Sequence, residues 1–307
     1  MNLISSLKDK KNTLRTRAKI IQAIRGFFIE RDFLEVETPL RVRAPAPELH
    51  LKAVKSGDRW LVTSPELQMK QLVAAGYERI FQVCRVFRDA ESGRMHNPEF
   101  TMLEWYRADA DYAALMDDMK EIVLAAAQAA GSGRTIKYGN LSINLDAEWK
   151  KSTVSDAFEK FAGYRPGPDP DPDRFDVDMV DRVEPELGIT VPTFLIDYPA
   201  SMCSLSRIKK DNPGVCERVE LYIAGVELAN GFSELVDSRE QRRRFERDLA
   251  QREAKGLDVY PIDENFLKAL DHMSVSAGCA LGIDRLVMLL CNKQNIHDVM
   301  CFTAGDS

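Results

Sequence analysis

The stretch from Arg79 to Arg107, RIFQVCRVFRDAESGRMHNPEFTMLEWYR, constrains the fold more than any other part of this chain. It reads as two β-segments joined by a charged loop. Side chains alternate across a strand with a period of two. Gln82, Cys84, Val86 and Arg88 therefore share one face of the first segment, and Phe100, Met102, Glu104 and Tyr106 share one face of the second. Paired as a hairpin, the segments bring an arginine, an aromatic ring, a carboxylate and a phenol onto one surface. That set suits a bound nucleotide and a bound amine. It also suits a half-exposed antiparallel sheet with ordinary surface charge.

Other segments frame this hairpin. Ile20, Ile21, Ile24, Phe27 and Phe28 recur at helical spacing, so a helix is expected from near residue 13 to 31. FLEVETPL follows as an extended element whose Pro39 cannot sit within a sheet. Residues 64–75 predict a helix with Ser64 as N-cap and Pro65 in its first position. Residues 111–130 predict an alanine-rich amphipathic helix. Pro166, Pro168, Pro170 and Pro172 alternate with glycine and aspartates, marking 163–192 as a loop or a small helical insertion. Residues 237–255 predict a charged helix with Phe245 and Leu249 inward, its Arg242–Arg244 run forming a solvated face.

A second hairpin spans 217–235, turning at Ala224–Gly225. Tyr222 then faces Glu227, and Glu220 lies diagonal to Glu227 on one face. Two carboxylates this close favour a cation between them, and Mg²⁺ held by carboxylates and substrate phosphates is a natural occupant. A loose solvent-exposed pair is the plain alternative. Asn230, Phe232 and Glu234 have the opposite parity from Glu227, so a bulge is expected, with Gly231 as its place.

Arg285 follows Gly282 and Asp284 where an apolar helix begins. A cation there opposes the helix dipole unless an anion lies beside it. The phosphate-binding reading competes with a surface arginine paired to Asp284. Glu66 is equally two-sided: the helix dipole alone favours a carboxylate in a first turn, and an amine-binding site would too. His96 in the 89–98 loop is, by itself, an ordinary loop residue.

Composition excludes several classes. The 307 residues are 45% hydrophobic and 29% charged, values of a globular protein, and no apolar run is long enough to span a bilayer. The first residues lack the apolar core of a signal peptide. The six cysteines (84, 203, 216, 279, 291 and 301) show no zinc spacing and read as reduced thiols in a cytoplasmic protein. A net charge of −6 argues against sequence-independent nucleic-acid binding.

FLEVETP at 33–39, FR…HNPEFTMLEWY at 87–106 and GCALGIDR at 278–285 resemble motifs 1, 2 and 3 of the class II aminoacyl-tRNA synthetases. With SPELQMKQLV at 64–73 and ELANGFSEL at 227–235, the chain is similar to the lysyl branch over nearly its whole length. The resemblance implies an α+β fold, an antiparallel sheet of six to seven strands flanked by helices, and a homodimer built on motif 1. It implies a single catalytic domain over 1–307 with an insertion at about 163–192 and no anticodon-binding domain. It implies ATP and Mg²⁺ as cofactors and activation of an amino acid as its adenylate.

Residue by residue, the resemblance gives Arg88 the bridge between the amino-acid carboxylate and the α-phosphate. His96 and Arg285 hold the outer phosphates, Phe100 stacks on adenine, and Glu220 and Glu227 hold Mg²⁺. Arg88, Arg285 and Glu227 are the expected catalytic residues. Glu66, Tyr106 and Glu234 surround a side-chain amine, Glu104 takes the other amine, and Asn230 takes the carboxylate. Phe232 is also placed in the substrate pocket. Desolvating a lysine ammonium requires such carboxylate partners.

Ser64 and Ala280 depart from the synthetase, which has alanine and glycine there. They resemble a truncated paralogue group of that branch, which attaches (R)-β-lysine to a lysine of elongation factor P. That implies elongation factor P and lysine or β-lysine as partners, docking over the 89–98 loop, and neither tRNA nor a membrane. Ala90 replaces the glutamate usual two residues after the motif 2 arginine; either Glu91 substitutes through a loop shift or the contact is lost. Ser233 stands where some of the group have histidine. Two alternatives remain: a minimal lysyl-tRNA synthetase domain acting on tRNA, and a non-catalytic synthetase-like regulatory subunit. An amide-forming metabolic ligase on the same fold fits the lysine-type pocket poorly.

Overall fold

A computed structural model describes residues 3–303. Helix α1 runs Leu3–Ile29, ten residues earlier than the apolar periodicity begins, because its first turns are polar. Its inner stripe, Ile20, Ile24, Phe27 and Phe28, is buried. Phe28 stacks on Phe81 with ring centroids 4.6 Å apart and lies 5.6 Å from Trp105. Each such ring or aliphatic chain contributes about 1.5–3 kcal/mol of burial. The stripe thus anchors α1 to the sheet beneath the hairpin.

After α1 come β1 (Leu34–Glu35) and a small three-stranded sheet of β2 (Arg41–Val42), β3 (Lys55–Ser56) and β4 (Arg59–Leu61). Helix α2 (Glu66–Ala74) leads into the long hairpin of β5 (Arg79–Phe87) and β6 (Glu99–Ala108). Helix α3 (Tyr112–Ala130) is capped at its start by Asp111 and ended by Gly131 in the left-handed conformation. A minor hairpin follows, β7 (Thr135–Tyr138) with β8 (Leu141–Asn144), then β9 (Lys150–Thr153) and α4 (Val154–Phe161). The proline-rich insertion is helical: α5 (Pro172–Asp178) starts on an Asp171 cap and continues through two short turns to Glu186. Strands β10 (Thr193–Pro199), β11 (Val215–Ile223) and β12 (Val226–Ser233) come next. They are followed by α6 (Ser238–Ala254), α7 (Glu264–Leu270), β13 (Ser276–Gly282) and α8 (Ile283–Leu290).

The main sheet has eight strands in the order β1-β5-β6-β13-β12-β11-β10-β9. The six from β5 to β10 are antiparallel, and β1 and β9 join the edges in parallel. The sheet is therefore mixed and one to two strands wider than expected. The edge strands are two and four residues long and carry too little pattern to read. One sheet face packs on α1, α3 and α8 through the largest core cluster. The other face bears the polar residues discussed below.

Candidate active site

The β5–β6 register pairs Gln82 with Glu104, Cys84 with Met102 and Val86 with Phe100, so the expected face forms. β13 lies on the other side of β6 and sets Gly278 against Tyr106 and Ala280 against Glu104. β12 then sets Asn230 against Ala280 and Phe232 against Gly278. A Cβ on Gly278 would lie 2.1 Å from the Tyr106 ring, so only glycine lets the phenol cross this strand.

Glu104, 2% exposed, is the hub of the floor. Ser64 Oγ donates to its Oε2 (2.6 Å) and Tyr106 OH to its Oε1 (2.7 Å). The helix starts at Glu66, and Ser64 Oγ also accepts from the Glu66 amide (3.1 Å), so one hydroxyl serves both the helix start and the pocket. Burial, and then the neighbouring Glu66 charge, pushes the Glu104 carboxyl up to about 8.

Between Glu66 and Glu234 lies Lys70, which sequence reasoning missed. Its ammonium is 2.5 Å from Glu66 Oε1 and 2.5 Å from Glu234 Oε2, and it is 2% exposed. It also lies 5.0 Å from the centre of the Phe232 ring. The Glu66/Lys70 spacing of four on a helix was the available signal. Lys70 offsets part of the negative charge but leaves three buried carboxylates around one cation. Burial raises Glu234 to about 8 even with Lys70 beside it. The floor is thus short of positive charge, which an amine ligand supplies.

The mouth is cationic. Arg88 sits 5.2 Å from the Phe100 ring centre and donates to the Thr63 carbonyl (3.4 Å). Ala90 adopts φ +67, which turns the chain so that Glu91 Oε1 comes 3.6 Å from Arg88. Arg285 is not paired with Asp284. That buried carboxylate is taken by Arg17 and by the Thr101 amide (2.6 Å). Arg285 instead donates to Glu227 Oε2 (3.2 Å) and its carbonyl (2.9 Å), and lies 2.7 Å from His96 Nε2. Burial and the Arg285 charge hold His96 below its usual value, which favours the neutral ring accepting from the guanidinium.

The 217–235 hairpin turns at Ala224 and Gly225, both with positive φ, and pairs Tyr222 with Glu227 as expected. The bulge is not at Gly231. The register shifts between Leu221 and Tyr222, leaving Leu228 as the extra residue. Glu220 consequently faces Asn230. Gly231 is required for a different reason: a Cβ there would meet Cys279 at 2.9 Å and Leu115 at 3.0 Å. The bulge places Glu227, Asn230, Phe232 and Glu234 on one face. Ser233 points the other way, fully buried, and its Oγ accepts from the Tyr112 amide (3.0 Å) at the start of α3.

Glu220 is enclosed by Arg218 (2.6 Å), Tyr222 (2.7 Å) and Tyr198. Burial raises its carboxyl, and Glu227 adds to the shift. Burial together with Glu227 and Glu220 pushes Glu184, from the insertion, up to about 7. No cluster of three metal-ligating side chains is preformed among the described residues. Mg²⁺ typically takes only one or two carboxylates and completes its shell with water and phosphate. This mutually repelling set fits such an ion, with Glu227 as the cavity-facing donor and Glu220 behind it.

Every site residue expected from sequence except Glu220 and Glu234 lines one cavity of about 810 Å³. The insertion supplies Asp169, Pro172 and Asp176 to its wall, and the 48–51 loop supplies another wall. Arg218 was also missed; its position two residues before Glu220 on one strand face was the signal. The Arg242–Arg244 run is not wholly solvated, since Arg244 is 3% exposed and donates to the Ser204 and Ser206 carbonyls (both 2.8 Å).

A wide, mainly antiparallel sheet with an arginine on its long hairpin and a second arginine starting the helix after the last strand defines a class. The family model for class II tRNA synthetases (D, K and N) matches residues 3–305, and the chain belongs to that family. Its relatives are more specific. The chain is 42% identical to the elongation factor P–(R)-β-lysine ligase of Pectobacterium carotovorum subsp. carotovorum and 43% identical to that of Salmonella gallinarum. It is 41% identical to that of Edwardsiella ictaluri. Each match covers 94% of this chain and 94% of the relative.

Proposed function

We propose that this chain is an ATP-dependent ligase that activates (R)-β-lysine as its adenylate and transfers it to a lysine of elongation factor P. The observation that carries the reading is the Ser64–Glu104–Tyr106 hub with the Ala280 methyl beside it, joined in one cavity to Arg88 and Arg285. The floor recognises ammonium groups, and the mouth recognises phosphate.

In this reading the substrate carboxylate attacks the α-phosphorus, and pyrophosphate leaves. Such a displacement needs alignment and charge stabilisation more than a protein nucleophile. Arg88 holds the attacking carboxylate against the α-phosphate, with Phe100 under the adenine. His96 and Arg285 hold the outer phosphates. Glu227 and Glu220 would hold Mg²⁺, which when bound neutralises phosphate charge. Glu66, Glu234 and Tyr106 surround the side-chain amine, with Lys70 fixing the two carboxylates. Glu104 takes the β-amine and Asn230 the carboxylate. Ser64 and Ala280 favour this ligand over tRNA-type lysine chemistry.

The protein acceptor docks over the 89–98 loop, whose Arg94 carbonyl is tied to the Ile296 amide (2.9 Å). Charge reversal at Arg94 is expected to weaken modification. Exposed Leu3, Ile4, Leu34 and Leu40 on α1 and the motif 1 segment support a homodimer through that face. The relatives named as elongation factor P–(R)-β-lysine ligases match over 94% of their own length, which supports a protein acceptor over tRNA. No helix among the described residues is long and apolar enough to cross a membrane, in keeping with a cytoplasmic enzyme. The test is amino-acid-dependent ATP–pyrophosphate exchange. The reading expects exchange with (R)-β-lysine to exceed that with α-lysine; exchange with neither amino acid would sink it.

A further inference from the structure

Glu48 is a carboxylate in the cavity that none of the roles above uses. It lies in the wall formed by residues 48–51, half-buried, and its side chain makes no hydrogen bond and no ion pair within 4 Å among the described residues. Its backbone, by contrast, is fixed. Arg252, 1% exposed, donates to the carbonyls of Glu48 (2.6 Å), Leu49 (3.3 Å) and Leu51 (2.8 Å). The same guanidinium is held by Tyr260 OH (2.9 Å), which accepts from the Ala53 amide (2.9 Å). A buried arginine that donates to three carbonyls of one short loop, while its Nε donates to the Asp258 carbonyl (2.8 Å), sets the position of what that loop presents, and it presents Glu48.

We propose that Glu48 receives the ammonium of the acceptor lysine and takes its proton, freeing the amine to attack the adenylate carbonyl. This rests on the protein-acceptor reading above. A lysine side chain reaching an acyl-adenylate arrives protonated and cannot attack until it loses a proton. The floor carboxylates are engaged with Lys70, Ser64 and Tyr106, and Glu227 with Arg285. Glu48 makes no such contact. Of the aspartates that share its cavity, Asp248 is paired with Arg247 (3.0 Å) and Asp176 lies 3.9 Å from His50, which leaves Glu48 as the carboxylate there without an ion-pair partner that faces the adenylate site.

The step balances. One ammonium proton passes to Glu48, the amine nitrogen bonds to the carbonyl carbon, and the carbon–oxygen bond to phosphate breaks. AMP leaves, and the nitrogen's second proton goes to water. The charged and titratable groups acting on Glu48 are Glu66 on α2, Arg88 after β5, Arg218 on β11 and Asp248 on α6. Burial, then Glu66, pushes its carboxyl up to about 7, where a general base works best near neutral pH.

The experiment is single-turnover transfer from preformed adenylate in Glu48→Gln, alongside pyrophosphate exchange. Transfer to elongation factor P at pH 7 is expected to fall about 100-fold or more. That loss should exceed any loss in exchange at least tenfold. Raising the pH should recover transfer, and hydroxylamine, an amine already neutral at pH 7, should take the acyl group equally from variant and wild type. Equal losses in exchange and transfer would make Glu48 a substrate-binding residue and overturn the proposal, as would undiminished transfer. If wild type itself labels no elongation factor P, the functional reading fails instead. Glu48→Asp, keeping a carboxylate on the same loop, is expected to retain transfer above Glu48→Gln, which separates proton transfer from damage to the loop.

Discussion

Ala280 stands directly across from Glu104 on one neighbouring strand and from Asn230 on the other. Its methyl therefore lies between the groups assigned to the substrate's amine and carboxylate. Removing it in Ala280→Gly enlarges the space where an α-amine would sit. The expected outcome is a shift of exchange specificity toward α-lysine, worth roughly 1–3 kcal/mol or 10–200-fold in the ratio of kcat/KM values. An unchanged ratio would separate this methyl from selectivity.

Gly278 is one pair further along the same strands. Gly278→Ala would drive the Tyr106 ring off its position and away from Glu104. A folded protein, judged by circular dichroism, with kcat/KM for β-lysine reduced by at least about tenfold is expected from losing one buried hydrogen bond to a charged group. Normal kinetics would show that the phenol does not orient Glu104.

Lys70 is buried between two carboxylates. Lys70→Met leaves Glu66 and Glu234 without their cation, and breaking a buried pair in this way costs about 3–5 kcal/mol. Urea unfolding should show that loss at pH 9, above the raised Glu234 value of about 8, and a smaller one at pH 5, where Glu234 is protonated. A stable variant at pH 9 would mean that the carboxylates find another partner.

The pH dependence has a definite sign. Glu104 and Glu234 are pushed from the ordinary 4.5 to about 8, chiefly by burial. The folded state therefore binds more protons than the unfolded one across that window. Their contribution to stability is fully present below about pH 4.5 and is lost as pH rises through about 8. An ammonium ligand replaces those protons. Thermal unfolding with and without β-lysine should show a Tm gap that widens from pH 5.5 to pH 8, and calorimetry at pH 7 in two buffers should show proton release on binding. A pH-independent gap would contradict the charge deficit in the floor.

Arg285 touches Glu227 and His96 but no residue of the amine-binding floor. Arg285→Ala is expected to cut exchange by at least about 100-fold, the scale of losing one charge-stabilising donor. β-Lysine affinity by calorimetry should change far less. Proportional loss of both would place this arginine at the amino acid rather than at phosphate.

Much of the site was legible because strand parity is rigid: once β5 and β6 pair, Glu104 and Tyr106 must share a face with Gln82 and Cys84. The bulge was not legible in position. Glycine at 231 is demanded by Leu115 and Cys279 from elements far away in sequence, while the true bulge at Leu228 shows only as two adjacent buried residues, Leu228 and Ala229. Arg244 read as part of a solvated face on a charged helix, since nothing local reveals the Ser204 and Ser206 carbonyls that it meets. Lys70 was hidden in the same way: its partner Glu66 is one turn away, but Glu234 arrives from the other end of the chain.

The most direct test offers two acceptors at once. Purified protein is given ATP, Mg²⁺ and labelled (R)-β-lysine or α-lysine with elongation factor P and total tRNA in the same reaction. The account predicts label on elongation factor P, more from β-lysine than from α-lysine, and none on tRNA. Label on tRNA with elongation factor P untouched would contradict it and make this chain a minimal lysyl-tRNA synthetase.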